Sequence, residues 1–169
     1  LKTGCLFMFT TLDGMKVMQL FNEFKVEKDS KFTWVKEGSD GEPVTVYSLK
    51  KCFSGEELLD VNQKIMSYVE SIGSHMEYLV NCEFILSELE RRGYSVLVNN
   101  CFDEYIKDWH EDLNNSGKPI PILSQPEESW IDLQRVVVVR KVSSSLNVKQ
   151  RKRRKKTVTK KAESSDQPQ

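Results

Sequence analysis

Ser71-Ile-Gly-Ser-His-Met-Glu-Tyr-Leu-Val80 is the stretch around which the rest of the chain is read. It puts a carboxylate, Glu77, at the mouth of an apolar segment, just before a helix whose buried face starts at Leu79. Asp and Glu are almost never buried without a partner. That partner can be an arginine of the same protein or a ligand offering a row of N–H donors. A third reading is a carboxylate resting in the dipole at a helix start. The spacing leaves all three open.

Downstream of this stretch, Leu79, Cys82, Leu86 and Leu89 recur at helical spacing. Arg91-Arg92-Gly93 then supplies a basic last turn and a terminator. Tyr94–Asn99 reads as a strand, and Phe102, Tyr105, Ile106 and Trp109 as a short helix. A polar, proline-bearing loop follows over 111–128, and Arg135–Val142 is a central strand. Upstream, Cys5-Leu-Phe-Met-Phe9 reads as a strand buried on both faces. Asp13 can cap a helix over 14–24 with Val17, Leu20, Phe21 and Phe24 on one side. Lys31–Lys36 and Val44–Leu49 flank a Gly-Ser-Asp-Gly-Glu-Pro turn, which predicts a hairpin. Residues 52–63 read as loop and Ile65–Val69 as another short strand.

Charge divides the chain in two. Residues 143–169 hold nine Lys or Arg against two acids, while 1–142 hold sixteen against twenty-three, a net of −7. An acidic folded part, 1–142, is therefore expected to carry a basic tail, 143–169, too poor in apolar residues to build a core. Cys5, Cys52, Cys82 and Cys101 show no C-x-x-C pairing and no histidine at metal spacing, so buried free thiols are expected and no metal. No apolar run approaches the length of a membrane span, and no membrane partner is expected. An apolar strand at the very start predicts that the chain is the C-terminal portion of a longer protein.

Helix, strand, short helix, loop, strand is how a doubly wound α/β sheet can end, with an antiparallel pair at its edge. Here the residues resemble a family. Leu1-Lys-Thr-Gly-Cys5 is similar to the Leu-Lys-Pro-Gly-Gly bend before the fifth strand of class I (Rossmann-like) methyltransferases. Leu6 to Gly14 resembles the strand end of the mRNA cap guanine-N7 methyltransferases, and Glu77-Tyr-Leu-Val80 resembles their Pro-Glu-Tyr-Leu-Val. Tyr94–Val98 with Phe102-Asp-Glu-Tyr105, and Trp130 to Lys141, resemble their last two strands. The form of the central stretch is closest to domains fused into capping enzymes of large DNA viruses.

The resemblance implies a class I methyltransferase sheet with a β-hairpin insertion, present here in its C-terminal part. It implies mRNA capping by methyl transfer from S-adenosylmethionine to N7 of the cap guanine, with the cofactor held mainly by an upstream half. Capped RNA and other capping-enzyme domains or subunits are the implied partners. The nucleus, or for a virus the host cytoplasm or virion, is the implied location. Glu77, Tyr78 and Val136 fall on the cap-guanine side, although Tyr78 by itself reads as packing. Two positions depart from the family: Met76 replaces its proline, and Val136 replaces a tyrosine and offers neither hydroxyl nor ring. The reaction needs no general base, so no Ser-His-Asp set is required. Trp34, Trp109 and Trp130 read as packing residues, and His75 and His110 as solvated loop histidines.

Two alternatives stand beside this reading: a catalytically silent methyltransferase-like subunit of a capping complex, and an unrelated α/β RNA-binding protein with a basic tail. In the tail, Arg151, Lys152, Arg153 and Arg154 are candidate RNA phosphate contacts. Deleting 143–169 is expected to flatten the salt dependence of RNA binding. Methyl transfer to a cap dinucleotide, measured with radiolabelled donor, should be unchanged.

Overall fold

In the computed structural model, two antiparallel sheets meet at Asp13. The structure describes residues 1–142; the expected tail with Arg151, Lys152, Arg153 and Arg154 lies outside the described residues. Strand β1 (Leu6–Leu12) leads into helix α1 (Gly14–Glu23), followed by strands β2 (Lys31–Glu37), β3 (Pro43–Lys51), β4 (Lys64–Val69) and β5 (Gly73–Tyr78). Helix α2 (Cys82–Arg91), strand β6 (Tyr94–Cys101), helices α3 (Phe102–Asn115) and α4 (Gln125–Asp132) and strand β7 (Gln134–Lys141) complete the order.

The first sheet runs β1-β7-β6. Strand β7 is antiparallel to both neighbours, so β1 and β6 run parallel to each other across it. Four consecutive valines suit this central position, and Val137 and Val139 are fully buried. The expectation for β1 needs correcting. The strand forms, but among the described residues it pairs on one side only, and Leu6, Phe7 and Met8 are exposed rather than buried.

The second sheet is a meander, β2-β3-β4-β5, each strand antiparallel to the next. The expected hairpin insertion is thus four strands. The fold is α/β as expected, but the two sheets are antiparallel throughout. On the inner face, register sets Phe32, Leu49, Ser67 and His75 side by side across all four strands. Helix α1 covers this face with Val17, Met18 and Phe21, while Leu20 is half-buried and Phe24 exposed beside Phe32, their rings 4.6 Å apart. Helix α4 contributes Trp130, stacked on Tyr47 at 4.8 Å and edge-on to Trp34 at 5.8 Å.

Two helical expectations change. Helix α3 runs on to Asn115, and α4 occupies part of the expected loop. Its signal is a capping box: the Ser124 backbone N–H donates to the Glu127 carboxylate at 2.8 Å and the Ser124 hydroxyl at 2.7 Å, with Pro126 in the first turn.

Asp13 joins the layers. One carboxylate oxygen accepts the Met15 N–H and caps α1, as expected from sequence; the other accepts Arg135 Nε at 2.8 Å and Nη2 at 2.6 Å. Its backbone N–H donates to Leu133, and Gly14 N–H donates to the Val80 carbonyl at 3.1 Å. A side chain on Gly14 would meet that carbonyl at 2.5 Å, so the position requires glycine. Burial disfavours the Arg135 charge, but its bonds to Asp13 outweigh this and hold the guanidinium above its ordinary value.

Replacing Arg135 by alanine leaves a carboxylate that is 3% exposed without its counter-ion. The expected loss is about 3–5 kcal/mol, the usual cost of breaking a buried pair, read from urea unfolding.

Candidate functional site

Glu77 lies in a strand, which overturns its expected place at a helix start. Gly73, with φ of +93°, lets the chain reverse after β4, and β5 then pairs back along it, with Glu77 opposite Ile65. Helix α2 begins later. Its cap is Asn81, whose side-chain oxygen accepts the Phe84 N–H at 3.2 Å.

The partner of Glu77 is neither an arginine nor a helix terminus. The Ser67 hydroxyl, from β4, donates to Glu77 Oε1 at 2.6 Å. His75 Nε2 lies 2.9 Å from the same hydroxyl and also contacts Oε1. The hydroxyl proton is committed to Glu77, and a carboxylate only accepts. His75 must therefore carry its proton on Nε2 and donate into the pair. Ser67 is fully buried, while the Glu77 and His75 side chains are about a third and two-fifths exposed. Among the described residues no hydrogen bond reaches Glu77 Oε2. The arrangement is a carboxylate anchored through one oxygen, with the other open to a ligand.

His75 is thus a strand residue in a hydrogen-bonded cluster, not a solvated loop histidine. His110 also departs from that expectation: it lies on α3, and its Nε2 is buried without a partner among the described residues. Tyr78 is exposed and does not pack in the core; the Lys64 ammonium lies 5.7 Å from its ring centroid. Alternation along β5 puts Tyr78 on the opposite face from Glu77. Val136 is buried in the middle of β7, between Thr10 and Asn100. Two of the three expected guanine-side residues therefore share a strand, and the third belongs to the other sheet.

Sequence reasoning missed Ser67 and His75 as partners of Glu77. Their one signal was strand alternation, which puts His75 and Glu77 on the same side once β5 is read as a strand. Near the inter-sheet junction a cleft of about 310 Å³ is lined by Asp13, Lys16, Asn81, Cys82, Asn99 and Arg135. Burial, then the negative charge of Asp13, pushes the Cys82 thiol up to about 11, so it stays protonated and unreactive at neutral pH. No group of three or more potential metal ligands occurs among the described residues. No helix among them is long and apolar enough to cross a membrane.

No protein-family model matches the chain. It is similar to the mRNA-capping enzymes of African swine fever virus, including the Pretoriuskop tick isolate from South Africa and a warthog isolate from Namibia. Each is 28% identical over 144 residues, 83% of this chain and 16% of the relative. The enzyme of the Vero-adapted Badajoz strain matches to the same extent. The chain thus spans about a sixth of the length of these curated relatives.

Ser67→Ala and Glu77→Ala should be non-additive in unfolding free energy, because each removes one end of the same part-buried hydrogen bond. A coupling of about 0.5–3 kcal/mol is expected from a double-mutant cycle in urea.

Proposed function

We propose that the chain is the guanine-reading part of an mRNA cap guanine-N7 methyltransferase. The observation that carries this reading is the Glu77 carboxylate, fixed at Oε1 by Ser67 and His75 and free at Oε2. Guanine presents two adjacent donors, N1–H and the N2 amino group, and adenine lacks that pair. Both lone pairs of Oε1 are already engaged. The two guanine donors therefore converge on Oε2, instead of taking one oxygen each.

Two further facts support the reading. The relatives are viral mRNA-capping enzymes. The order β1-β7-β6, with β7 antiparallel between two parallel strands, agrees with the antiparallel closing pair that the resemblance implies. Viral relatives favour the host cytoplasm or virion over the nucleus as the place of action. Capped RNA is the proposed substrate, and other capping-enzyme domains are the proposed neighbours.

On this reading S-adenosylmethionine is held mainly outside this chain; the turn from β1 into α1 is closed by the bonds of Asp13 and Gly14. This chain's task in the reaction is then recognition and alignment. Guanine N7 keeps a free lone pair at neutral pH, so positioning suffices and no base is needed.

A second reading, a silent methyltransferase-like subunit, is favoured by Val136. It is buried and presents neither hydroxyl nor ring to a base. Both readings meet the same measurement. In the full-length protein Glu77→Gln should lower methyl transfer to capped RNA by about thirty- to a thousandfold while leaving donor affinity unchanged. The amide turns a donor toward a donor and loses one charge-assisted bond. A wild-type protein without transfer activity would support the silent subunit, and equal rates for wild type and variant would remove Glu77 from the reaction.

A further inference from the structure

We propose that the cleft beside Lys51 is a phosphate-binding site. Lys51 is the last residue of β3 and sits on the inner face of the meander, only 5% exposed. Its ammonium lies 5.8 Å from the Phe21 ring centroid and 5.3 Å from that of Phe53. Among the described residues it makes no side-chain hydrogen bond and has no carboxylate within 4.0 Å. Aromatic faces attract a cation, but they give its three N–H donors no acceptor, and the ammonium tip is the part of the side chain that reaches the cleft. An ammonium in that position is stabilised by an anion.

The space for one is there. A cleft of about 600 Å³ opens over the group, lined by Phe21, Phe53, Lys25, Lys28 and Gly55 besides Lys51 itself. Lys25 and Lys28 come from the turn between α1 and β2. Both are exposed, and neither is in an ion pair among the described residues. Glu27 and Glu56 also line the cleft, which leaves it with a net charge of +1 from these side chains. Three lysines lining one cleft match the several oxygens of a phosphate better than the two of a carboxylate. Lysine binds such groups as a mobile point charge.

The position also relates to Glu77. Register places Lys51, Ile65 and Glu77 in one row across three strands of the same face. Two inter-strand spacings separate the two charged residues, about 10 Å between backbones. The phosphate site nevertheless stands on its own observations and does not depend on what Glu77 binds.

The test is calorimetric titration of the full-length protein with inorganic pyrophosphate, GTP and a short uncapped RNA. Lys51→Met keeps the stem over the two rings and removes the charge. It should weaken binding by about ten- to a hundredfold, the range for losing a charge-assisted bond. Lys31→Met, in a separate cleft on the outer face of the meander, should bind like wild type. Binding of any of the three probes through Lys51 sustains the proposal, and their rank order identifies the source of the phosphate. Unchanged affinity in Lys51→Met, or no affinity of wild type for any probe, would overturn it. Should Lys51→Met fail to fold by circular dichroism, the exposed pair Lys25→Met and Lys28→Met decides in its place. Weakened binding supports the site and unchanged binding refutes it.

Discussion

The buried carboxylate of Asp13 is the constraint on which the two sheets depend. Its two oxygens serve different elements, one capping α1 and the other holding Arg135 at the start of β7. Its backbone donates to Leu133, just after α4, and the next residue donates to Val80, between β5 and α2. Four chain segments thus converge on two residues. A charge this deep is tolerable because the guanidinium is planar and meets the same oxygen with two N–H groups. A hydrophobic pair could give similar stability there, but it would not fix the direction in which four backbones leave the point.

That direction matters for the proposed site. Val80 lies three residues beyond Glu77, and between them Leu79 N–H donates to Gln63. The C-terminal end of β5 is therefore pinned on both sides: to the junction through Val80 and to the loop before β4 through Leu79. Ser67 holds the side chain of Glu77 from within the sheet. A carboxylate on an edge strand would ordinarily sample many rotamers. Here the backbone and one oxygen are both fixed, which lowers the entropy lost when the free oxygen meets a ligand.

Elements set by local signals were legible in the sequence. Asp13 caps α1, the Gly-and-Pro turn joins β2 to β3, Gly93 follows α2, and the valine run forms the centre of its sheet. The capping box of α4 was equally local, but the proline and polar residues around it gave the stretch the look of a loop. Glu77 was misplaced for a different reason. Leu79 continues the periodicity of α2 backwards past its true cap, so the helix seemed to start early, and the strand signal of alternating residues 73–78 was masked. The chemistry was less visible than the fold. Ser67 and Arg135 find their acidic partners 10 and 122 positions away, and nothing in their own neighbourhood marks the pairing.

Buried polar side chains are expensive, so where they occur and how each is satisfied separates structural from functional roles. Asp13 is satisfied by Arg135 and a backbone N–H, and that use is architectural. Gln63 bonds to the Glu57 carbonyl and the Leu59 N–H, closing the loop before β4, also architectural. Ser67 is satisfied through Glu77 and His75, so its burial is tied to a residue with an open oxygen. Lys51, also buried, has aromatic rings for neighbours and no acceptor among the described residues. Helix α1 and the core aliphatics could have covered an apolar side chain at that end of β3 at lower cost. Asp13 and Gln63, outside the strands of the meander, are thus fully satisfied, whereas on its inner face Glu77 is half-committed and Lys51 has no acceptor among the described residues. The last two are where the face has chemistry left to offer a ligand.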